Sequence, residues 1–170
     1  LAINQAVLVN AGDDTYAIPI ASVEGVAQVT AGDLKPYYID TTQPFVYANN
    51  EYRLQHLGRL LGTSEPRLDN PDITYPVIMV RAGDERVAIQ VEQLVGRRDV
   101  VVKPLGAPLN ELPGLGGATI MPDGKVVLIL EIGGLLRTES RFVASGRSEE
   151  EAAETATEAT EPTAPAAAGT

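Results

Sequence analysis

The sequence predicts an all-β domain built as two related halves. Three observations carry that expectation: short β-branched segments bounded by turn residues, tight Gly-Asp links between them, and an internal repeat at an offset of 71 residues.

Residues 7–11, 15–20, 77–82, 86–91, 99–103 and 125–131 read as strands, each rich in Val, Ile or Thr and flanked by Gly, Asp, Asn or Pro. Gly12-Asp13-Asp14 and Gly83-Asp84-Glu85 read as hairpin turns, because Gly and Asp tolerate the backbone angles that such turns need. Met121-Pro122-Asp123-Gly124-Lys125 supplies a third turn, marked by its Asp-Gly pair.

The repeat lays AVLVNAGDDTYAIPIASVEG, residues 6–25, over VIMVRAGDERVAIQVEQLVG, residues 77–96, without a gap. Val9, Ala11, Gly12, Asp13, Ala17, Ile18 and Gly25 recur as Val80, Ala82, Gly83, Asp84, Ala88, Ile89 and Gly96. A fainter block sets residues 49–62 against residues 123–136, each a turn, a strand and a Leu-Leu end. Each half is thus expected to run from a hairpin through a bent strand and a loop to a second hairpin strand and a short helix. Five short strands with Gly-marked bends are enough to curl into a small barrel. Barrels of roughly 70 residues would be marginal alone, so a shared core is expected.

Longer loops are predicted over 30–44, 63–75 and 105–117. Pro36 and Pro44 restrict the first to a short helical turn at most. The helical candidates are 54–61 and 133–142, where Leu and Arg recur at helical spacing. The expected division is one domain over 1–138, with halves of about 6–62 and 77–136, and then the end of a helix and a disordered linker over 139–170. From Ser148 onward there are six Glu, many Ala and Thr and two Pro, with no basic, aromatic or large aliphatic residue. Such a composition cannot bury enough apolar surface to offset the entropy of ordering.

The tail also accounts for much of the formal net charge of −10. Six of the 23 acidic residues lie there, which leaves 17 against 13 basic ones and a net of −4 for residues 1–147. A nucleic-acid binder is not expected from that balance, since counterion release needs a basic excess. The absence of cysteine removes disulfide scaffolds and thiolate chemistry and favours a reducing, cytoplasmic setting. No apolar run is long enough for a bilayer span or a signal peptide, and the start at Leu1 without Met is expected of a fragment.

No catalytic constellation emerges. His56 in RLQHLGRLL has no acidic residue at helical spacing to orient its ring and reads as a surface or half-buried histidine, not a phosphoacceptor or base. Asp40-Thr41-Thr42 lacks the partner carboxylate of an aspartic dyad in the other half and reads as a solvated loop. Asp13-Asp14 and Asp84-Glu85 sit at turns, where Asp serves the backbone more often than a cation. Gly114-Leu115-Gly116-Gly117 has no following Lys-Ser or Lys-Thr and enters a strand at Ala118-Thr119-Ile120, so phosphate cradling is not expected. Arg97-Arg98 beside Asp99 reads as a solvated edge of use in a charged contact. Neither cofactor nor metal is predicted.

LAINQAVLV, GDDTYAIPIASVEGV, DVVVKPLG and GATIMPDGKVVLILEIGGLL resemble the CheW-like regulatory domain at the C-terminal end of CheA-type chemotaxis histidine kinases. The match covers residues 1 to about 138, and the VVVKPLG element is usually lacking in free-standing CheW adaptors. The resemblance implies two intertwined five-stranded SH3-like barrels. It also implies docking to a CheW-like adaptor and to the cytoplasmic tips of chemoreceptors, with receptor state relayed to a kinase catalytic domain in cis. The domain itself would be non-catalytic, cytoplasmic and recruited to membrane receptor arrays. His56 does not match the family's phosphoacceptor setting. The acidic linker would suit a hybrid kinase with a further receiver domain, as in systems controlling type IV pili and twitching motility. The 30–44 loop and Gln55-His56 depart from the family, which more often shows a Pro-containing apolar strand there.

Partner contact is expected through exposed strands, loops and the groove between the barrels. The apolar candidates are Val23, Val26, Tyr47, Tyr52 and Leu105, with Arg97 and Arg98 as the polar component. The alternatives are a free-standing CheW-type adaptor and, in another class, a small β-barrel enzyme or ligand carrier, which requires a pocket with converging polar groups.

Overall fold

The computed structural model describes residues 3–106 and 113–138. The predicted tail, the end of the 133–142 helix and the middle of the 105–117 loop lie outside them.

Among the described residues ten strands form two sheets. The first half supplies β1 (Ile3–Ala11), β2 (Asp14–Pro19), β3 (Val23–Thr30), β4 (Phe45–Tyr47) and β5 (Asn50–His56). The second supplies β6 (Thr74–Ala82), β7 (Glu85–Gln90), β8 (Gln93–Val101), β9 (Leu115–Ile120) and β10 (Val126–Leu130). The strand orders are β8-β1-β2-β10-β9 and β3-β6-β7-β5-β4. Exchanging β1 to β5 with β6 to β10 turns one order into the other. Each sheet is therefore a hairpin from one half completed by three strands of the other, and neither half curls up on its own strands alone.

The hairpins follow from the turns. Gly12 and Gly83 adopt φ of 63° and 62°, the left-handed region open to glycine, at the two Gly-Asp links. The next strands, β3 and β8, stand where a bent strand is expected in each half, but the sequence marks the bounds only of the end of β8. Both carry a bulge at equivalent places. Pairing slips between Val23 and Gly25 against β6, and between Leu94 and Gly96 against β1, so Glu24 and Val95 are the extra residues. A bulge breaks the two-residue alternation and bends the strand, which removes the periodic signal.

The repeat's second block needs one correction. β5 pairs with β7 in parallel, Arg53 opposite Val87, and β10 pairs with β2 in parallel, Leu128 opposite Tyr16. With Val87 equivalent to Tyr16, Arg53 is equivalent to Leu128, an offset of 75 and one residue beyond the sequence match. That shift also brings Gly58 onto Gly133 and Leu60-Leu61 onto Leu135-Leu136.

Three apolar cores result. Val7, Val9, Tyr16 and Ile18 meet Ile78, Val80, Val87 and Ile89 between the sheets. Ala6, Leu8, Ala17, Val100, Val127 and Ile129 fill one barrel, and Leu34, Phe45, Tyr52, Val77, Met79 and Ala88 the other. Four central strands are thus buried on both faces, which is why they read as unbroken apolar runs. Leu57 of α2 (Leu57–Leu61) and Leu135 and Leu136 of the equivalent helical stretch, residues 132–138, pack on the central core.

Two helical expectations change. Residues 54–56 belong to β5, and only Leu57–Leu61 is helical. Within the 30–44 segment, α1 (Ala31–Ile39) runs for nine residues with Pro36 inside it. Thr30 caps it through its Oγ1, which accepts the Asp33 N–H at 3.2 Å. The Ala31 N–H donates to the Ile73 carbonyl at 2.7 Å, and Ala31 and Leu34 are fully buried. Docking of this face outweighs the hydrogen bond that Pro36 removes.

Candidate interaction surfaces

The two outer strands β3 and β8 occupy equivalent edges but carry different chemistry. Val26 and Arg97 are equivalent through the 71-residue repeat, both exposed, one apolar and one cationic. Arg98 is also exposed, and its Nη1 donates to the Arg97 carbonyl at 2.7 Å. Arg97 and Arg98 thus stand together on the β8 edge. The Ile3 and Val101 side chains, paired in register across β1 and β8, add an exposed apolar step on the same sheet, with Val95 further along β8.

On the other sheet the expected residues are partly withdrawn. Val23 is half-buried and packs on the central core. Tyr47 is half-buried with its ring 6.4 Å from that of Tyr52, edge to face. Tyr52, expected to be partly exposed, is 2% exposed and belongs to the barrel core. Its hydroxyl donates to Glu24 Oε1 at 3.3 Å, an oxygen that also receives the Arg86 guanidinium at 3.3 Å. An aromatic ring at inward parity next to Phe45 is burial, not display. Leu105 is half-buried and stands apart from this cluster in the chain, beyond the Lys103–Ala118 bridge.

A groove between the sheets has a volume of about 410 Å³, with walls from Pro19 and Ser22, from Ala82 and Gly83, and from Ile132 and Arg137. Residues of both halves line it. A second hollow of about 440 Å³ lies beside Asp13 and Asp14, with Lys125 across from them.

Several exposed apolar residues escaped the sequence reading. Ile120 and Val126 oppose each other across β9 and β10 at 54% and 64% exposure, and Val46 on β4 is similarly open. The available signal was parity: a β-branched residue on an outward strand position has no core to face.

His56 is buried, not a surface residue. It is the N-cap of α2, its Nδ1 accepting the Arg59 N–H at 3.1 Å. Burial, helped by the Arg59 charge and opposed by Glu65, lowers its pKa to about 4, so the ring is neutral near pH 7. With Nδ1 accepting, the proton resides on Nε2. Asp40 lies in a solvated turn in which its carboxylate accepts from the Thr42 hydroxyl at 2.6 Å and from the Thr42 N–H at 3.1 Å, which lowers its pKa. Among the described residues no helix is long and apolar enough to cross a membrane.

Comparison with known proteins gives a consistent picture. The family model described as "CheW-like domain" matches residues 5–140. The chain is 35% identical over 152 residues to the chemotaxis protein CheA of Treponema pallidum, covering 89% of this chain and 18% of that protein. It is 33% identical over 134 residues to the gliding motility regulatory protein of Myxococcus xanthus, covering 78% and 16%. The chain thus spans less than a fifth of either relative. Among solved structures, the scaffolding protein TtCheW of Thermoanaerobacter tengcongensis superposes with a TM-score of 0.56 at 12% identity, covering 79% of this chain and 88% of that one, which is a likeness of fold.

Proposed function

Because the chain belongs to the CheW-like domain family, we propose that it is a non-catalytic docking scaffold of a chemotaxis-type histidine kinase, joining a kinase catalytic domain in cis to a CheW-like adaptor and to chemoreceptor tips. The observation that carries this reading is the pair of equivalent outer strands with unlike surfaces. One double barrel whose β8 edge exposes Arg97 where the equivalent β3 edge exposes Val26 offers two docking faces of related shape and different chemistry. Charge and apolar steps set at different edges select different partners. Arg97 and Arg98, with Ile3 and Val101 beside them, serve one face. Val26, Val23 and Tyr47 serve the other, with Tyr52 acting from behind as support, and Leu105 lies on neither. Through its partners the domain is recruited to receptor arrays on the cytoplasmic side of the membrane.

Co-sedimentation of the chain with receptor cytoplasmic fragments and with a CheW adaptor tests the reading. Binding to both is expected, and binding to neither overturns it.

A further inference from the structure

The double barrel is nearly symmetric, but one end of it is polar where symmetry would allow otherwise. His56 and Gln90 form the last rung of the parallel ladder between β5 and β7. The equivalent rung of the other sheet is Glu131, exposed and paired with Arg137 at 3.4 Å, opposite Pro19. The fold therefore does not need a histidine and a glutamine at this place. Both are nonetheless almost fully buried, at 3% and 1% exposure.

These two side chains floor a cavity of about 210 Å³, with Glu65, Arg67, Tyr75 and Glu92 around it. Each has one polar atom committed to the protein and one left over. His56 Nδ1 accepts the Arg59 N–H, which leaves Nε2–H. Gln90 Oε1 accepts the Tyr38 hydroxyl at 2.6 Å, which leaves its amide nitrogen. Neither remaining donor has a partner among the described residues, and neither is sealed off, as Ser64 Oγ is. His56 and Gln90 are register partners on neighbouring strands about 4.8 Å apart, and both border the same cavity. The rim is already spoken for on one side: Glu65 holds Arg59 at 2.7 Å. Glu92 remains as an acceptor at the mouth.

We propose that this cavity is a carboxamide-binding pocket that receives the side chain of an Asn or Gln on a protein partner. A carbonyl oxygen takes both floor donors, and the amide NH2 reaches back to Glu92. A carboxylate satisfies the floor but has no hydrogen to give Glu92, the rim carboxylate left outside the Arg59–Glu65 pair, while Arg67 stands on the same rim; an ammonium finds no acceptor at the floor. A group of this size is well within the cavity's volume of about 210 Å³. The proposal rests on the docking role above, and its test does not depend on which partner docks.

The test is a titration of the whole chain with propionamide, propionate and n-propylamine, followed by long-range 1H–15N correlation of the His56 ring and by the Gln90 side-chain amide resonances. Saturable shifts with propionamide alone are expected. Two variants lose them: His56→Ser, which keeps an oxygen to cap α2 but withdraws the ring, and Gln90→Met, which keeps the volume without the amide. Backbone spectra confirm that both variants fold. If neither of them folds, the ranking of the three probes on the unaltered chain decides. Equal or better binding of propionate or propylamine overturns the proposal, as does the absence of saturation or the survival of the shifts in both folded variants. Free L-glutamine is expected to bind no better than propionamide, because a side-chain site has no place for its charged backbone groups. Hundredfold tighter binding of the free amino acid overturns the assignment to a protein partner. Failure to sediment with receptors or adaptor leaves all of these readouts unchanged, so the two failures are distinguishable.

Discussion

The ring of Tyr47 lies against the bare backbone of Gly25: a Cβ at Gly25 would stand 2.6 Å from Tyr47 Cε1 and 2.7 Å from its hydroxyl oxygen. The outer strands β3 and β4 of one sheet are thus brought together by a ring resting on a glycine. In the other sheet the same closure uses backbone hydrogen bonds, Lys103 N–H to the Ala118 carbonyl at 2.8 Å and the reverse at 3.0 Å. Gly25→Ala is expected to destabilise the chain by about 1–3 kcal/mol, the usual cost of forcing a methyl into a filled space. Urea unfolding measures it, and adding Tyr47→Ala should recover part of the loss. A strictly additive double variant would place the strain somewhere other than this contact.

Acid sensitivity is expected from His56. Its folded pKa of about 4 lies below the ordinary 6.5, so the unfolded chain binds the proton more tightly. The stabilisation is fully present above about pH 6.5, where both states are neutral, and is lost as pH falls toward 4. At one unit per 1.36 kcal/mol the loss approaches about 3 kcal/mol at low pH. Urea unfolding of the chain and of His56→Ser between pH 7.5 and pH 4.5 isolates the term. The unaltered chain should fall more steeply, and parallel profiles would remove His56 from the account.

Charge reversal at Arg97 probes the β8 edge. Arg97→Glu leaves stability within about 0.5 kcal/mol, since the side chain is exposed. Association with an acidic partner should slow several-fold and lose much of its salt dependence, because an edge charge acts on encounter more than on the bound state. Stopped-flow association at two salt concentrations reads both. An unchanged rate would move the contact away from this edge.

The hairpins were legible because glycine and aspartate at a tight turn leave little choice of backbone, as at Gly12 and Gly83. The twofold relation was legible because the central strands conserve volume on both faces, so Val9 and Ile18 recur as Val80 and Ile89. Exchange of strands between halves was not derivable from the residues, since a repeat says which segments are alike and not which copies pair. The bounds of β3 were hidden by the bulge at Glu24, and α1 by Pro36, whose cost is met by the buried contacts of Ala31 and Leu34. Among surface candidates, a tyrosine on a strand could equally be core, and Tyr52 is. His56 read as unremarkable because its environment depends on Gln90, 34 residues away, and on the Tyr38 hydroxyl that fixes Gln90 in place.

Strand exchange predicts that the halves do not fold apart. Cut between α2 and β6, the first half keeps the β1–β2 hairpin but loses β8 on one side and β10 on the other, while β5 loses β7. The faces of Val7, Val9 and Ile18 would then meet water in place of Ile78, Val80 and Ile89. A single hairpin is marginal in water, and no remaining strand of that half restores its neighbours. Chains ending at about residue 66 or starting at about residue 67 should each show disordered circular dichroism, and mixing the two should restore the β signal. Ile78→Ala in the intact chain, at the centre of the shared core, should cost about 2–5 kcal/mol and shift one transition for both barrels. Two separated transitions, or a folded half on its own, would show that each sheet is held by its own half after all.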